Sequence, residues 1–119
     1  RRRRWSMSQL GIFVLDTSLG VPAEGVEVTL SSVDVDAGET IIARGFTGSD
    51  GCIDAFLAAD YVLPRGHYRV MYETRAYFAG SGRTTTFPLI QVDFSIADEL
   101  PYVLPLILTP DCYTFYRGS

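Results

Sequence analysis

Apolar and polar residues alternate through much of this chain with a period of two. Val26, Val28 and Leu30 take turns with Glu27, Thr29 and Ser31, the pattern of a strand with one face buried. The same alternation predicts strands over 67–72 and 89–96, and 41–46 reads as another strand. Residues 10–15 form an unbroken apolar run and read as a fully buried strand. Residues 52–56 read as a short one. Between them lie turn and loop signals: 16–20, the acidic 33–39, Ser49-Asp50-Gly51, the Pro64- and Gly66-bearing stretch 57–66, 80–86, and Ala97-Asp98-Glu99. Helical turns are plausible only within 74–80, around Arg75-Ala76-Tyr77-Phe78-Ala79.

The last sixteen residues, LPLILTPDCYTFYRGS, hold an apolar run at 104–108, the turn residues Thr109-Pro110-Asp111, and an alternating stretch at 112–116. They predict a closing hairpin. A terminus this aromatic, ending on an arginine, suggests a segment held against something rather than left to fray. About eight short, evenly spaced strands with at most one short helix predict an all-β sandwich.

Composition narrows the function classes. The chain has 119 residues, 47% of them hydrophobic and 13% aromatic, enough for one domain with a real core. There are ten arginines and no lysine, and four arginines open the chain. Met7 reads as an initiator, so 1–6 is expected to be a tag or upstream tail and 7–119 the domain. Setting those four aside leaves six basic against fourteen acidic residues, a net −8. The six are scattered, so no basic face for nucleic acid is expected. No apolar run is long enough for a membrane span and no secretory leader is visible, so a cytoplasmic protein is expected. Two cysteines and one histidine offer neither a disulfide framework nor metal-ligand spacing, and no metal or cofactor is expected.

The ending Tyr116-Arg117-Gly118-Ser119, preceded by Pro105-Leu106-Ile107-Leu108-Thr109-Pro110, resembles the C-terminal signature of the 5-hydroxyisourate hydrolases, the enzyme relatives of transthyretin. Three further blocks fall in the family's order: Val14-Leu15-Asp16-Thr17-Ser18-Leu19-Gly20 with Pro22-Ala23; Thr47-Gly48-Ser49-Asp50-Gly51; and Tyr77-Phe78 followed by Phe87-Pro88. The resemblance implies a transthyretin-like Greek-key β-sandwich of two four-stranded sheets, with a short helix after the fifth strand. It also implies a homotetramer, a dimer of dimers, with sites in the channel between dimers.

Hydrolysis of a strained cyclic ureide needs a base to activate water and a cation to hold the developing oxyanion. The resemblance assigns these to a histidine before the Val-Leu-Asp block, an arginine after Asp-Gly, and histidines before the Pro-Leu run. Those positions here hold Phe13, Cys52, and Pro101 and Val103; only Tyr116, Arg117, Gly118 and Ser119 remain. The chain is therefore expected to be a divergent member lacking the catalytic His, Arg and His. His67 matches none of these positions and reads as a surface or hydrogen-bonded residue. Cys52 is either a nucleophile, if a nearby cation such as Arg117 depresses its pKa, or a small buried hydrophobe. Cys112 reads as a thiol in the terminal turn.

Three functions follow. In the first, the channel is a water-poor pocket for a small apolar or aromatic molecule. It steers a cyclisation, isomerisation or pericyclic step in secondary metabolism, chemistry that shape and a few hydrogen bonds can accelerate. Arg117, Tyr116, Ser119 and Cys52 are then the candidate catalytic groups, and Phe13, Val103, Gly118 and Pro101 the candidate ligand-binding ones. The second is a ligand-binding protein without chemistry, and the third is residual hydroxyisourate hydrolysis.

Overall fold

The computed structural model describes residues 10–58, 61–98 and 101–118. Ser119, the 1–6 tail and Glu99 lie outside the described residues. The strands are β1 (Leu10–Asp16), β2 (Val21–Pro22), β3 (Glu27–Asp34), β4 (Gly38–Phe46), β5 (Gly66–Glu73), β6 (Leu89–Ile96), β7 (Tyr102–Thr109) and β8 (Cys112–Phe115); helix α1 (Thr74–Ala79) follows β5. They form two four-stranded sheets, ordered β2-β1-β7-β8 and β4-β3-β5-β6. The expected sandwich of two four-stranded sheets with one short helix is what is found.

Alternation decides which side chains meet between the sheets. Leu10, Ile12 and Val14 of β1 and Leu104, Leu106 and Leu108 of β7 face Val28 and Leu30 of β3 and Val70 and Tyr72 of β5; all are nearly or fully buried. β1 and β7 run parallel in a sheet whose other pairs are antiparallel. A parallel partner requires a long crossover, here supplied by everything from β2 to β6. α1 starts on Glu73, whose carboxylate accepts the Ala76 N–H, a side-chain cap of the first turn. The helix sends Phe78 into the core.

Two local expectations are revised. Residues 52–56 form no strand: Cys52 makes a single bridge to Phe13 and the chain then turns, because the apolar Phe56 and Leu57 reach the core from a bend. The acidic loop is shorter than 33–39, since β3 continues to Asp34 and β4 resumes at Gly38. Asp34 accepts the N–H groups of Asp36 and Ala37, an Asx turn that closes the hairpin. The two-residue strand β2 lies just after the turn expected at 16–20, where no element was read from the sequence.

On the outer face of the second sheet, Arg69 braces three strands. Its guanidinium meets Asp93 of β6 twice, at 2.7 and 3.0 Å, and Glu39 of β4 at 3.0 Å. Two hydroxyls, Ser31 Oγ and Tyr72 Oη, are buried without a hydrogen-bond partner among the described residues. Burial pushes the Tyr72 phenol far up from its ordinary pKa.

Candidate functional site

The Asp50-Gly51-Cys52 turn is built from its own hydrogen bonds. Gly51 N–H donates to Gly48 O, Gly48 N–H to Cys52 O, and the Asp50 carboxylate accepts the Cys52 N–H at 3.0 Å. Buried Thr47 anchors it: its hydroxyl donates to Ala23 O at 2.7 Å and accepts Val26 N–H at 2.9 Å. The turn docks on β1, where Val14 N–H donates to Gly51 O at 2.9 Å and Phe13 bridges Cys52. Gly51 has φ +80, and a Cβ there would stand 2.5 Å from Val14 O and 3.3 Å from Phe13 Cε1.

Across β1 the register continues. Phe13 pairs with Pro105 and Gly11 with Val103; Tyr116 N–H donates to Pro105 O at 3.4 Å, and Gly118 bridges Val103. Core residues of β1 and β7 occupy the alternate positions, so Phe13, Leu15, Val103, Pro105 and Ile107 share the outer face of this sheet. Cys52 and Gly118 flank that face on either side. The structure thus brings together Phe13, Cys52, Val103, Gly118 and the Tyr116 backbone from four separate segments. Pro101 is exposed ahead of β7.

Arg117 stands elsewhere. Its guanidinium carbon lies 3.8 Å from the centroid of the Tyr102 ring, and one nitrogen lies 3.7 Å from Asp98. Tyr102 alternates with Val103 and belongs to the core cluster, so Arg117 turns toward the opposite side of β7. Cys52 and Tyr116 are separated by β1 and β7. Three strand spacings amount to roughly 14 Å, so β1 and β7 stand between Cys52 and the tail that carries Arg117. Cys52 is 4% exposed, and its thiol lies 3.8 Å from Asp50 O, the setting of a small buried hydrophobe. Cys112 is exposed.

No imidazole reaches this face. His67 lies on the outer surface of the other sheet, where its Nδ1 pairs with Ser95 Oγ at 3.1 Å. Polar groups on or beside the face include the Cys52 thiol, the Tyr116 phenol, the Thr114 hydroxyl at the register position of Ile107, and the paired Thr109 and Cys112. Such a surface can bind and shape an apolar molecule. Among the described residues no histidine stands on it. No cluster of three or more metal-ligating side chains occurs among the described residues. No helix among them is long and apolar enough to cross a membrane.

Sequence reading missed a buried charge pair at the end of β1. Asp16 is fully buried and accepts the Ser18 N–H at 3.0 Å, the Tyr77 phenol at 2.7 Å and the Arg83 guanidinium at 3.0 Å. Arg83 also stacks over Phe78 at 4.9 Å. Burial works to raise the Asp16 pKa, but hydrogen bonds from Ser18, Tyr77 and Arg83 and the Arg83 charge outweigh it and the net shift is downward. Burial, followed by the bond to Asp16, pushes Tyr77 up to about 12. An aspartate ending an apolar strand was the only sequence signal, and its partners lie 61 and 67 residues away.

The protein-family model described as "HIUase/Transthyretin family" matches residues 10–118. The 5-hydroxyisourate hydrolase of Salmonella dublin is 40% identical over 111 residues, covering 92% of this chain and 80% of that protein. Sea bream transthyretin, solved in complex with thyroxine, superposes with a TM-score of 0.85 at 33% identity, covering 92% of this chain and 94% of that one. (S)-allantoin synthase superposes with a TM-score of 0.85 at 27% identity; 94% of this chain matches 44% of that longer one. The matched span takes in both sheets and every strand that builds the outer face, and the chain belongs to the HIUase/transthyretin family.

Proposed function

We propose that this chain uses the outer face of the β2-β1-β7-β8 sheet, in a channel between dimers of a homotetramer, to bind a small apolar or aromatic molecule. There it promotes a cyclisation, isomerisation or pericyclic step rather than ureide hydrolysis. The observation that carries this reading is the meeting of Phe13, Cys52, Val103 and Gly118 at two bridges on one face, with the chain's one histidine on the other sheet. Phe13, Val103 and Gly118 form the wall. The Tyr116 phenol is the candidate to supply a hydrogen bond without strong basicity, with Ser119 beside it in sequence. Desolvation and orientation contribute the rate effect, since both act without an acid–base pair. The same fold forms less than half of (S)-allantoin synthase, so it also occurs within a longer protein named for a different reaction.

The second reading is a binding protein without chemistry, favoured by the thyroxine complex of the sea bream relative. The deciding experiment is native mass spectrometry of the assembled protein against candidate metabolites, with turnover followed on each retained compound. A retained compound that is converted supports the catalytic reading; retention without conversion supports the binding one. No retention of any apolar aromatic compound, with hydroxyisourate hydrolysed at the rate of a relative bearing the catalytic histidines, overturns both.

A further inference from the structure

Building on that reading of the outer face, we infer that Arg117 is a clasp on the C-terminal tail rather than a ligand contact, and that Asp98 and Tyr102 are the positioning residues that hold it. Regular pairing between β7 and β8 stops at Leu106 and Phe115. Beyond it the tail keeps two backbone bonds to β7: Tyr116 N–H to Pro105 O at 3.4 Å, and Gly118 N–H to Val103 O at 2.7 Å. Pro105 has no N–H to return, so the ladder is weakest where the tail begins. Arg117 lies between these two bonds and reaches around to the far side of β7.

There it finds two partners of unequal weight. The ion pair with Asp98 spans 3.7 Å between half-exposed side chains, and such pairs are worth little. The Tyr102 ring is buried, is held by the Ala97 N–H on its hydroxyl at 3.2 Å, and carries the guanidinium at 3.8 Å. A fixed ring under a planar cation is the stronger contact. The tail so held runs beside β7: a Cβ on Gly118 would stand 3.6 Å from Val103 Cβ and 3.7 Å from Pro105 Cγ, and Val103 keeps only 8% of its surface although it points away from the core. Releasing the tail bares both residues and reshapes the pocket wall from behind.

Amide hydrogen exchange in the full chain, read by NMR at Gly118, tests the clasp, with the Ala23 and Thr47 amides, bonded to Val14 O and Val26 O, as references off β7 and the tail. Arg117→Ala accelerates exchange at Gly118 by about five- to tenfold, the combined weight of one cation–π contact and one exposed ion pair, and leaves the references unchanged. Asp98→Asn gives a smaller increase, about twofold, which disappears when made on top of Arg117→Ala because it acts through that residue. Tyr102→Phe keeps the ring and the protection. Unchanged exchange at Gly118 in Arg117→Ala overturns the clasp, as does an Asp98→Asn effect that persists without Arg117. Anilinonaphthalene sulfonate fluorescence on the parent protein tests the pocket separately: a parent that binds no dye overturns the binding-face reading while protected Gly118 leaves the clasp standing.

Discussion

Phe13 and Cys52 face each other across an antiparallel bridge, and the residue between that bridge and the Asp50 turn has no side chain because there is no room for one. Gly51 holds φ +80 with Val14 O at 2.5 Å, Pro22 Cβ at 3.0 Å and Phe13 Cε1 at 3.3 Å from where a Cβ would stand.

Gly51→Ala should therefore cost stability twice, through a left-handed backbone and through a clash with a backbone carbonyl. We expect a loss of about 2–4 kcal/mol, measured by urea unfolding, with Cys52 becoming accessible to a thiol reagent. In the parent only Cys112 should react quickly. A stable Gly51→Ala protein with a protected Cys52 would contradict the docking of this turn.

The Asp16 network predicts a pH response of definite sign. The folded pKa of Asp16 is lowered, so its stabilisation is present above the unfolded value, about 3.9, and is lost as pH falls through the folded value. Asp16→Asn should lower stability at pH 7 by about 2–4 kcal/mol, since it strips a partly buried Arg83 of its counter-charge, and should flatten the stability profile below pH 4. In the same variant the ultraviolet titration of Tyr77, at about 12 in the parent, should move down.

Tyr72 predicts a gain. Its hydroxyl is buried without a partner among the described residues, and an orphaned polar group costs about 1–3 kcal/mol. Tyr72→Phe should match or exceed the parent's stability by about 1 kcal/mol in thermal or urea unfolding. A loss of the same size would mean that the hydroxyl has a partner.

Hydroxyisourate turnover should run near the uncatalysed rate. Loss of a general base alone costs about 10²–10⁴-fold, and Phe13 and Val103 stand where the resemblance places imidazoles. Phe13→His should not restore the reaction, because the cation position is still Cys52. It should weaken binding of anilinonaphthalene sulfonate by putting a polar ring into an apolar wall. Decay of freshly generated hydroxyisourate in the ultraviolet checks the first expectation, and a dye titration the second.

Assembly is tested by sedimentation at micromolar concentration. A homotetramer should sediment at four times the 13.2 kDa chain mass; a stable monomer would remove the channel on which the proposed pocket depends.

The sequence alone determined the sandwich. Period-two alternation at 26–31, 67–72 and 89–96 encodes which face of each strand is buried, and burial of that face is what the sheets accomplish. Residue types alone also showed that the chain carries a single histidine, His67, away from the positions to which the resemblance assigns imidazoles. Tertiary structure decided what could not be read locally. The parallel β1–β7 register places Phe13 beside Pro105, 92 positions along the chain, and no local pattern encodes a pairing so distant. Residues 52–56 carry strand-like composition, yet only Cys52 pairs, since the ladder has room for one bridge before Phe56 and Leu57 turn inward. Asp16 found Tyr77 and Arg83 through the fold of α1 and the loop after it. Arg117 carries the charge expected of it, but the direction of its side chain depends on which side of β7 offers a buried ring and a carboxylate, and only the packed structure puts Tyr102 and Asp98 there.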